Sequence, residues 1–157
     1  MASNIDSVQG TNDDATVSKL SACTLGYYND PYLGYFVSSA AKRSRRAPLI
    51  NRGYYSRVAA ITTVINQFLD HGPPAKEKQI VSFGAGYDTQ YFRLKAAGKQ
   101  PAKYFELDFP QTVMKKARII HRQQALRSLL EEDCKTSEHL PSPSSPSSQQ
   151  QQQQQQQ

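Results

Sequence analysis

This chain has few cysteines, few long apolar runs and no complete dinucleotide fingerprint, and each shortage excludes something. Only two cysteines occur in 157 residues, Cys23 and Cys134. Neither has a histidine at a ligand interval, so no metal site is expected from spacing. Two thiols without a secretion signal point to a reducing compartment, and a cytoplasmic location is expected. No apolar run is long enough for a membrane span or signal peptide. The hydrophobic share is 38%, below that of an ordinary globular chain. Much of that deficit lies at the end, where Leu140 is followed by Pro, Ser and Gln alone. Such a segment cannot bury enough apolar surface to offset its ordering entropy. The Gln149–Gln157 run adds a tendency to self-associate.

Three regions are therefore expected: a disordered polar N-terminus at 1–13, one partial domain at 14–132, and a disordered Ser/Pro/Gln tail at 133–157. The net charge is +6. It comes from Lys42, Arg43, Arg45, Arg46 and Arg52, then Lys115, Lys116, Arg118, Arg122 and Arg127. Both clusters are expected to be solvated, the first as a loop and the second as a helix face. The first, Lys42-Arg43-Ser44-Arg45-Arg46, also matches a nuclear localisation signal, so the nucleus is a second expected location. The aromatic–basic interleaving of RNA-binding sheets is lacking, so nucleic acid is not the expected partner. Neither is a membrane.

Local signals give an order of elements. A helix is expected from Ala15 to about Gly26, capped by Asp14. A second short helix is expected over Tyr32–Ala41, then a basic loop over Lys42–Arg52. Tyr54, Val58, Ile61, Ile65 and Phe68 fall at helical steps and predict a strong helix, ended by His71-Gly72-Pro73-Pro74. Buried strands are expected at Gln79–Phe83 and Lys103–Leu107. Helices should follow each, at Thr89–Ala97 and from Asp108 to about Leu130.

The chemistry lies between those strands. Ile80-Val81-Ser82-Phe83 runs into Gly84-Ala85-Gly86-Tyr87-Asp88-Thr89, a strand ending in a glycine turn. Glu106 and Asp108 follow about twenty residues after Gly86, the spacing at which an acidic side chain reaches a nucleotide-like ribose. Gly84 and Gly86 would let a cofactor approach the backbone. Where the dinucleotide pattern has its third glycine this chain has Thr89, which argues against a pyrophosphate and for a cofactor without phosphate. Glu106 and Asp108 should project to one side of their strand, either one able to hold both ribose hydroxyls. Asp108 also reads as a helix cap, and so does Asp88. Arg57, beside apolar Val58, reads as a surface arginine, and Lys19 and Arg93 carry the same reading. Strand–helix–strand–helix opens a doubly wound α/β fold. Two strands alone leave that sheet incomplete.

These segments resemble the leucine carboxyl methyltransferases, which use S-adenosylmethionine. The resemblance rests on Lys19 with Gly26-Tyr27-Tyr28-Asn29-Asp30-Pro31-Tyr32, and on Ala47-Pro48-Leu49-Ile50-Asn51-Arg52-Gly53-Tyr54-Tyr55-Ser56-Arg57. It continues through Gly84-Ala85-Gly86-Tyr87-Asp88-Thr89, Phe92-Arg93-Leu94 and Lys103-Tyr104-Phe105-Glu106-Leu107-Asp108-Phe109-Pro110, spanning Asp14 to Ile120. It implies the N-terminal part of a doubly wound Rossmann-like methyltransferase fold with added N-terminal helices. It implies methylation of the C-terminal leucine carboxylate of the type 2A protein phosphatase catalytic subunit. A sister branch acts on a tRNA wybutosine precursor, and a non-catalytic phosphatase-binding fragment is a further alternative. At matching positions, Gly84 would line the cofactor site and Asp108 would hold the ribose. Lys19 and Arg57 would face the cofactor's carboxylate. The family's later motifs, an Asp-Leu pair beside the adenine and a further acidic residue, have no counterpart here. No catalytic base is assigned, because a carboxylate is already a nucleophile; Arg57 is the candidate for holding a carboxylate.

Overall fold

The computed structural model describes residues 4–130 and 134–136; the expected tail lies almost wholly outside the described residues. Helix α1 spans Asn4–Thr24 and α2 spans Pro48–Asp70. Strand β1 (Gln79–Phe83), helix α3 (Gln90–Ala96), strand β2 (Lys103–Leu107) and helix α4 (Pro110–Arg122) follow. A short helix α5 occupies Gln124–Arg127. The two strands are parallel, with Gln79 opposite Lys103 and Phe83 opposite Leu107. This is a partial Rossmann-like fold.

Several expectations change in detail. Helix α1 starts at Asn4 rather than Ala15, so residues 4–13 are helical where disorder was expected. Within it Asn12 Oδ1 accepts the Tyr87 N–H at 3.0 Å, a tertiary contact that local propensity does not announce. Asp14 pairs with Arg46 instead of capping a helix, and the Arg46 backbone N–H donates to Ser21 Oγ at 2.9 Å. The expected helix at Tyr32–Ala41 is two short 3-10 turns, Leu33–Tyr35 and Ala41–Arg43. The basic loop stops at Ala47, because Pro48 starts α2 with its fixed φ and its missing donor at a position that needs none. Neither Asp88 nor Asp108 caps a helix. The N-cap positions of α3 and α4 are Thr89 and Phe109, and neither makes a side-chain capping bond.

The strands are not buried on both faces. Ile80, Ser82, Tyr104 and Glu106 are half-buried on one side. Val81, Phe83, Phe105 and Leu107 are exposed on the other. The main core lies around Phe36, Tyr87, Phe92 and Leu126, with Tyr32, Tyr91, Ile119 and Ile120 against it. Phe36 stacks on Tyr87 with ring centroids 5.6 Å apart. This packing joins the segment after α1 to the glycine turn and to α3. Helix α2 packs on α1 and buries little of its own stripe: Leu69 and Asn51 are buried, while Ile61 and Phe68 are exposed. The C-terminus of α2 is closed by Lys78, whose Nζ donates to the carbonyls of Phe68 (2.6 Å), Leu69 (3.0 Å) and His71 (2.5 Å).

Candidate cofactor site

The turn after β1 uses its backbone donors internally. The N–H groups of Gly84 and Ala85 donate to the Leu107 carbonyl at 2.8 and 3.2 Å. Gly86 N–H donates to Asp108 Oδ2 at 2.6 Å, and Tyr87 N–H to Asn12 Oδ1 at 3.0 Å. Asp88 N–H donates to the Ala85 carbonyl at 2.9 Å. A phosphate cradle needs several such N–H groups pointing at the ligand. This turn offers none from Gly84 to Asp88, so the departure at Thr89 and the hydrogen bonding agree. Gly84 and Gly86 both have positive φ, +63° and +51°. Their surroundings differ. The space over Gly84 is open, whereas a Cβ on Gly86 would collide with Asn12 Oδ1.

Asp108 lies just beyond β2. Its Oδ2 accepts Gly86 N–H, and its Oδ1 accepts Phe109 N–H at 2.7 Å. Each carboxylate oxygen has room for a further donor, so two neighbouring hydroxyls match it. Glu106 is placed differently. Its Oε2 pairs with Lys116 Nζ at 2.5 Å, and that ammonium also donates to the Asp88 carbonyl at 2.7 Å. Lys116 is buried. One member of the second basic cluster is therefore an internal tie rather than part of a solvated face.

Lys19 reaches the same turn. Its Nζ lies 3.1 Å from Asp88 Oδ1. Burial opposes ionisation of Asp88, but Lys19 and then Lys116 outweigh it and hold the carboxyl below its usual range. Arg57 stands apart. It is exposed on α2 and lines a shallow cavity of about 150 Å³ with Gly53 and Tyr54. The structure thus gathers Gly84, Gly86, Asp108 and Lys19 at one turn, takes Glu106 into an ion pair beside it, and leaves Arg57 on the surface.

Sequence reasoning missed Asn12 and the partnership of Asp30, Thr89 and Arg93. Asn12 fell within the expected disordered segment. Asp30 was noted only inside a motif, yet it is buried and accepts the Thr89 hydroxyl at 2.5 Å. Arg93 Nε lies 3.6 Å from the same carboxylate, and the guanidinium also donates to Thr62 Oγ1 and to Gln90 Oε1. Thr89 is therefore a buried hydroxyl with a partner as well as a missing glycine. The signal lay in the Asn-Asp-Pro-Tyr run, where a carboxylate amid apolar neighbours needs a buried partner. Cys23 donates from Sγ to the Asp30 carbonyl at 3.6 Å, and burial raises its pKa.

A strand, a glycine turn with no free N–H from Gly84 to Asp88 and a carboxylate just beyond the next strand form the opening unit of a Rossmann-like fold. The sequence model of the family described as leucine carboxyl methyltransferase matches residues 7–139. The chain is 47% identical over 135 residues to a leucine carboxyl methyltransferase 1 homolog of Arabidopsis thaliana, covering 86% of this chain and 40% of that protein. It is 39% identical over 127 residues to leucine carboxyl methyltransferase 1 of Rattus norvegicus, covering 80% and 37%. Human tRNA wybutosine-synthesizing protein 4 is 44% identical over 126 residues, covering 78% of this chain and 18% of that protein. The chain belongs to the leucine carboxyl methyltransferase family. It spans about two-fifths of the length of the carboxyl methyltransferases it matches.

Membership implies S-adenosylmethionine as cofactor, and the described residues fit it. It carries no phosphate that would need the occupied N–H groups, and a ribose diol matches a carboxylate with acceptor capacity to spare.

Proposed function

We propose that this chain carries the N-terminal half of an S-adenosylmethionine site. We further propose that the site serves methyl transfer to the C-terminal leucine carboxylate of the type 2A protein phosphatase catalytic subunit. The observation that carries the reading is Asp108, held by Gly86 N–H at the mouth of the glycine turn with acceptor capacity to spare. Asp108 would take the ribose hydroxyls, and the open backbone at Gly84 would admit the cofactor. Lys19, with three donors, would keep Asp88 and still donate to the cofactor's carboxylate. Arg57, exposed at the α2 cavity, would hold a carboxylate from the cofactor or the substrate. The cofactor, when bound, supplies an electrophilic sulfonium methyl. The acceptor carboxylate needs no deprotonation, so the protein's task is alignment and exclusion of water. One face of the two-stranded sheet is uncovered among the described residues. Methyl transfer is therefore assigned to the site completed by further strands, and cofactor binding to the half-site.

Calorimetric titration of the purified chain with S-adenosylmethionine tests this. Saturable binding that Asp108→Ala weakens by about tenfold or more supports the half-site. Absence of binding by a chain that melts cooperatively refutes it. A second reading, methylation within tRNA wybutosine synthesis, draws on the 44% identity to the wybutosine protein. Retention of a phosphatase C-terminal peptide, and not of tRNA, by the chain favours the first reading over the second.

A further inference from the structure

Helix α1 meets the glycine turn along one face. Asn12, Thr16, Lys19 and Cys23 recur at the three- and four-residue steps that share a helix face. Three of them reach the turn or the segment bonded to it. Asn12 Oδ1 accepts Tyr87 N–H, Lys19 pairs with Asp88, and Cys23 donates to Asp30. Asn12 is the one that comes down over a glycine of the turn. It fills the space over Gly86 that a Cβ would need, while the space over Gly84 stays open. The two glycines share a left-handed backbone but not an occupant. The absence of a side chain at Gly86 serves a close approach by the protein's own helix. At Gly84 the same absence leaves the backbone open to a ligand.

We propose that Asn12 is a positioning residue of the cofactor site. It anchors the Tyr87 amide, closes the approach over Gly86, and so directs a cofactor to the lane over Gly84 beside Asp108. The inference rests on the S-adenosylmethionine reading above. The chemistry is that of one neutral hydrogen bond in a part-buried setting. The Asn12 carbonyl satisfies a donor that would otherwise point out of the turn. The turn is thereby held in the shape that presents Asp108 through the neighbouring Gly86 N–H.

The test uses the whole chain with Asn12→Ala and Asn12→Asp, the latter retaining an acceptor of equal length. Amide hydrogen exchange is read at Tyr87 and, as an internal control, at Ile80 and Phe105 in the sheet. Asn12→Ala is expected to speed exchange at Tyr87 about tenfold and leave the sheet amides unchanged, with Asn12→Asp restoring protection. Calorimetric affinity for S-adenosylmethionine is expected to fall about tenfold in Asn12→Ala. Gly84→Ala and Gly86→Ala are then each combined with Asn12→Ala. The Gly86 variant should regain part of its loss, since its methyl no longer meets the amide oxygen, and the Gly84 variant should regain nothing. Unchanged Tyr87 exchange in Asn12→Ala, or equal behaviour of the two glycine pairs, overturns the proposal. A wild-type chain that binds no S-adenosylmethionine refutes the proposed function. The exchange data, with melting temperatures of the glycine pairs, still decide whether Asn12 holds the turn.

Discussion

Asp30 and Thr89 are joined by a buried hydrogen bond of 2.5 Å between the carboxylate and the hydroxyl. The contact fastens the segment after α1 to the head of α3, next to the glycine turn. Asp30 is almost fully buried, and so is Thr89. Removing the Thr89 hydroxyl takes one buried donor from the carboxylate, which keeps the Tyr32 N–H and the neighbouring Arg93. Thr89→Val is therefore expected to lower unfolding stability by ~1–2 kcal/mol, and Thr89→Ser to recover most of it. Asp30→Ala also removes the anion beside the Arg93 guanidinium, and the expected loss is larger, ~3 kcal/mol. Urea denaturation at neutral pH measures both.

The Lys19–Asp88 pair makes stability depend on acidity. The folded carboxyl of Asp88 sits below its ordinary value of 3.8, mainly because Lys19 and Lys116 oppose its burial. A depressed carboxyl contributes stability that is complete above the unfolded pKa and is lost as pH falls through the folded one. The chain should thus lose this contribution below about pH 4, as Asp88 takes up a proton. Lys19→Met should flatten the acid limb by ~1 kcal/mol or less, because both side chains keep some solvent contact. Thermal melts of both proteins between pH 6 and pH 3 check the sign.

Both strands were legible in the sequence to the residue, and so was the order strand, helix, strand, helix. Short β-rich runs bounded by Gly and Pro leave little freedom in register. The glycine turn and Asp108 were legible too, because their spacing is set by the length of one strand–helix–strand unit. Asn12 was not. Its neighbourhood is polar, and its order depends on a bond to Tyr87, distant in sequence. Strand alternation places Glu106 on the same side as Asp108, so the sequence offers either carboxylate to the ribose. No local pattern announces that Lys116 comes from α4 to claim Glu106. Arg57 was singled out by resemblance alone, and α2 leaves it exposed.

Lys116 should be more costly to lose than any other member of its basic cluster. Its ammonium is buried and serves two acceptors, Glu106 and the Asp88 carbonyl. Lys116→Ala leaves a half-buried carboxylate without its cation, and a loss of ~2–3 kcal/mol is expected. Lys115→Ala, one residue earlier and exposed, should cost less than ~0.5 kcal/mol. Chemical denaturation of the two variants side by side separates an internal tie from a solvated charge.

The uncovered face of the sheet yields the last expectation. Phe83 is 82% exposed, with Val81, Phe105 and Leu107 each near half-exposed on the same side. Contiguous apolar surface of this kind is uncommon on a monomer and drives association. Among the described residues the sheet has two strands, so each carries an outer edge beside that face. The chain is therefore expected to self-associate with rising concentration in sedimentation runs, and Phe83→Ser should shift it toward monomer. Because Phe83 buries so little within its own fold, that change should leave the melting temperature of dilute protein nearly unaltered. A core phenylalanine such as Phe92, 2% exposed, offers the contrast. Phe92→Ala should cost ~3–5 kcal/mol and increase aggregation rather than relieve it. Equal effects of the two substitutions on association would mean that unfolding, and not the open sheet face, drives it.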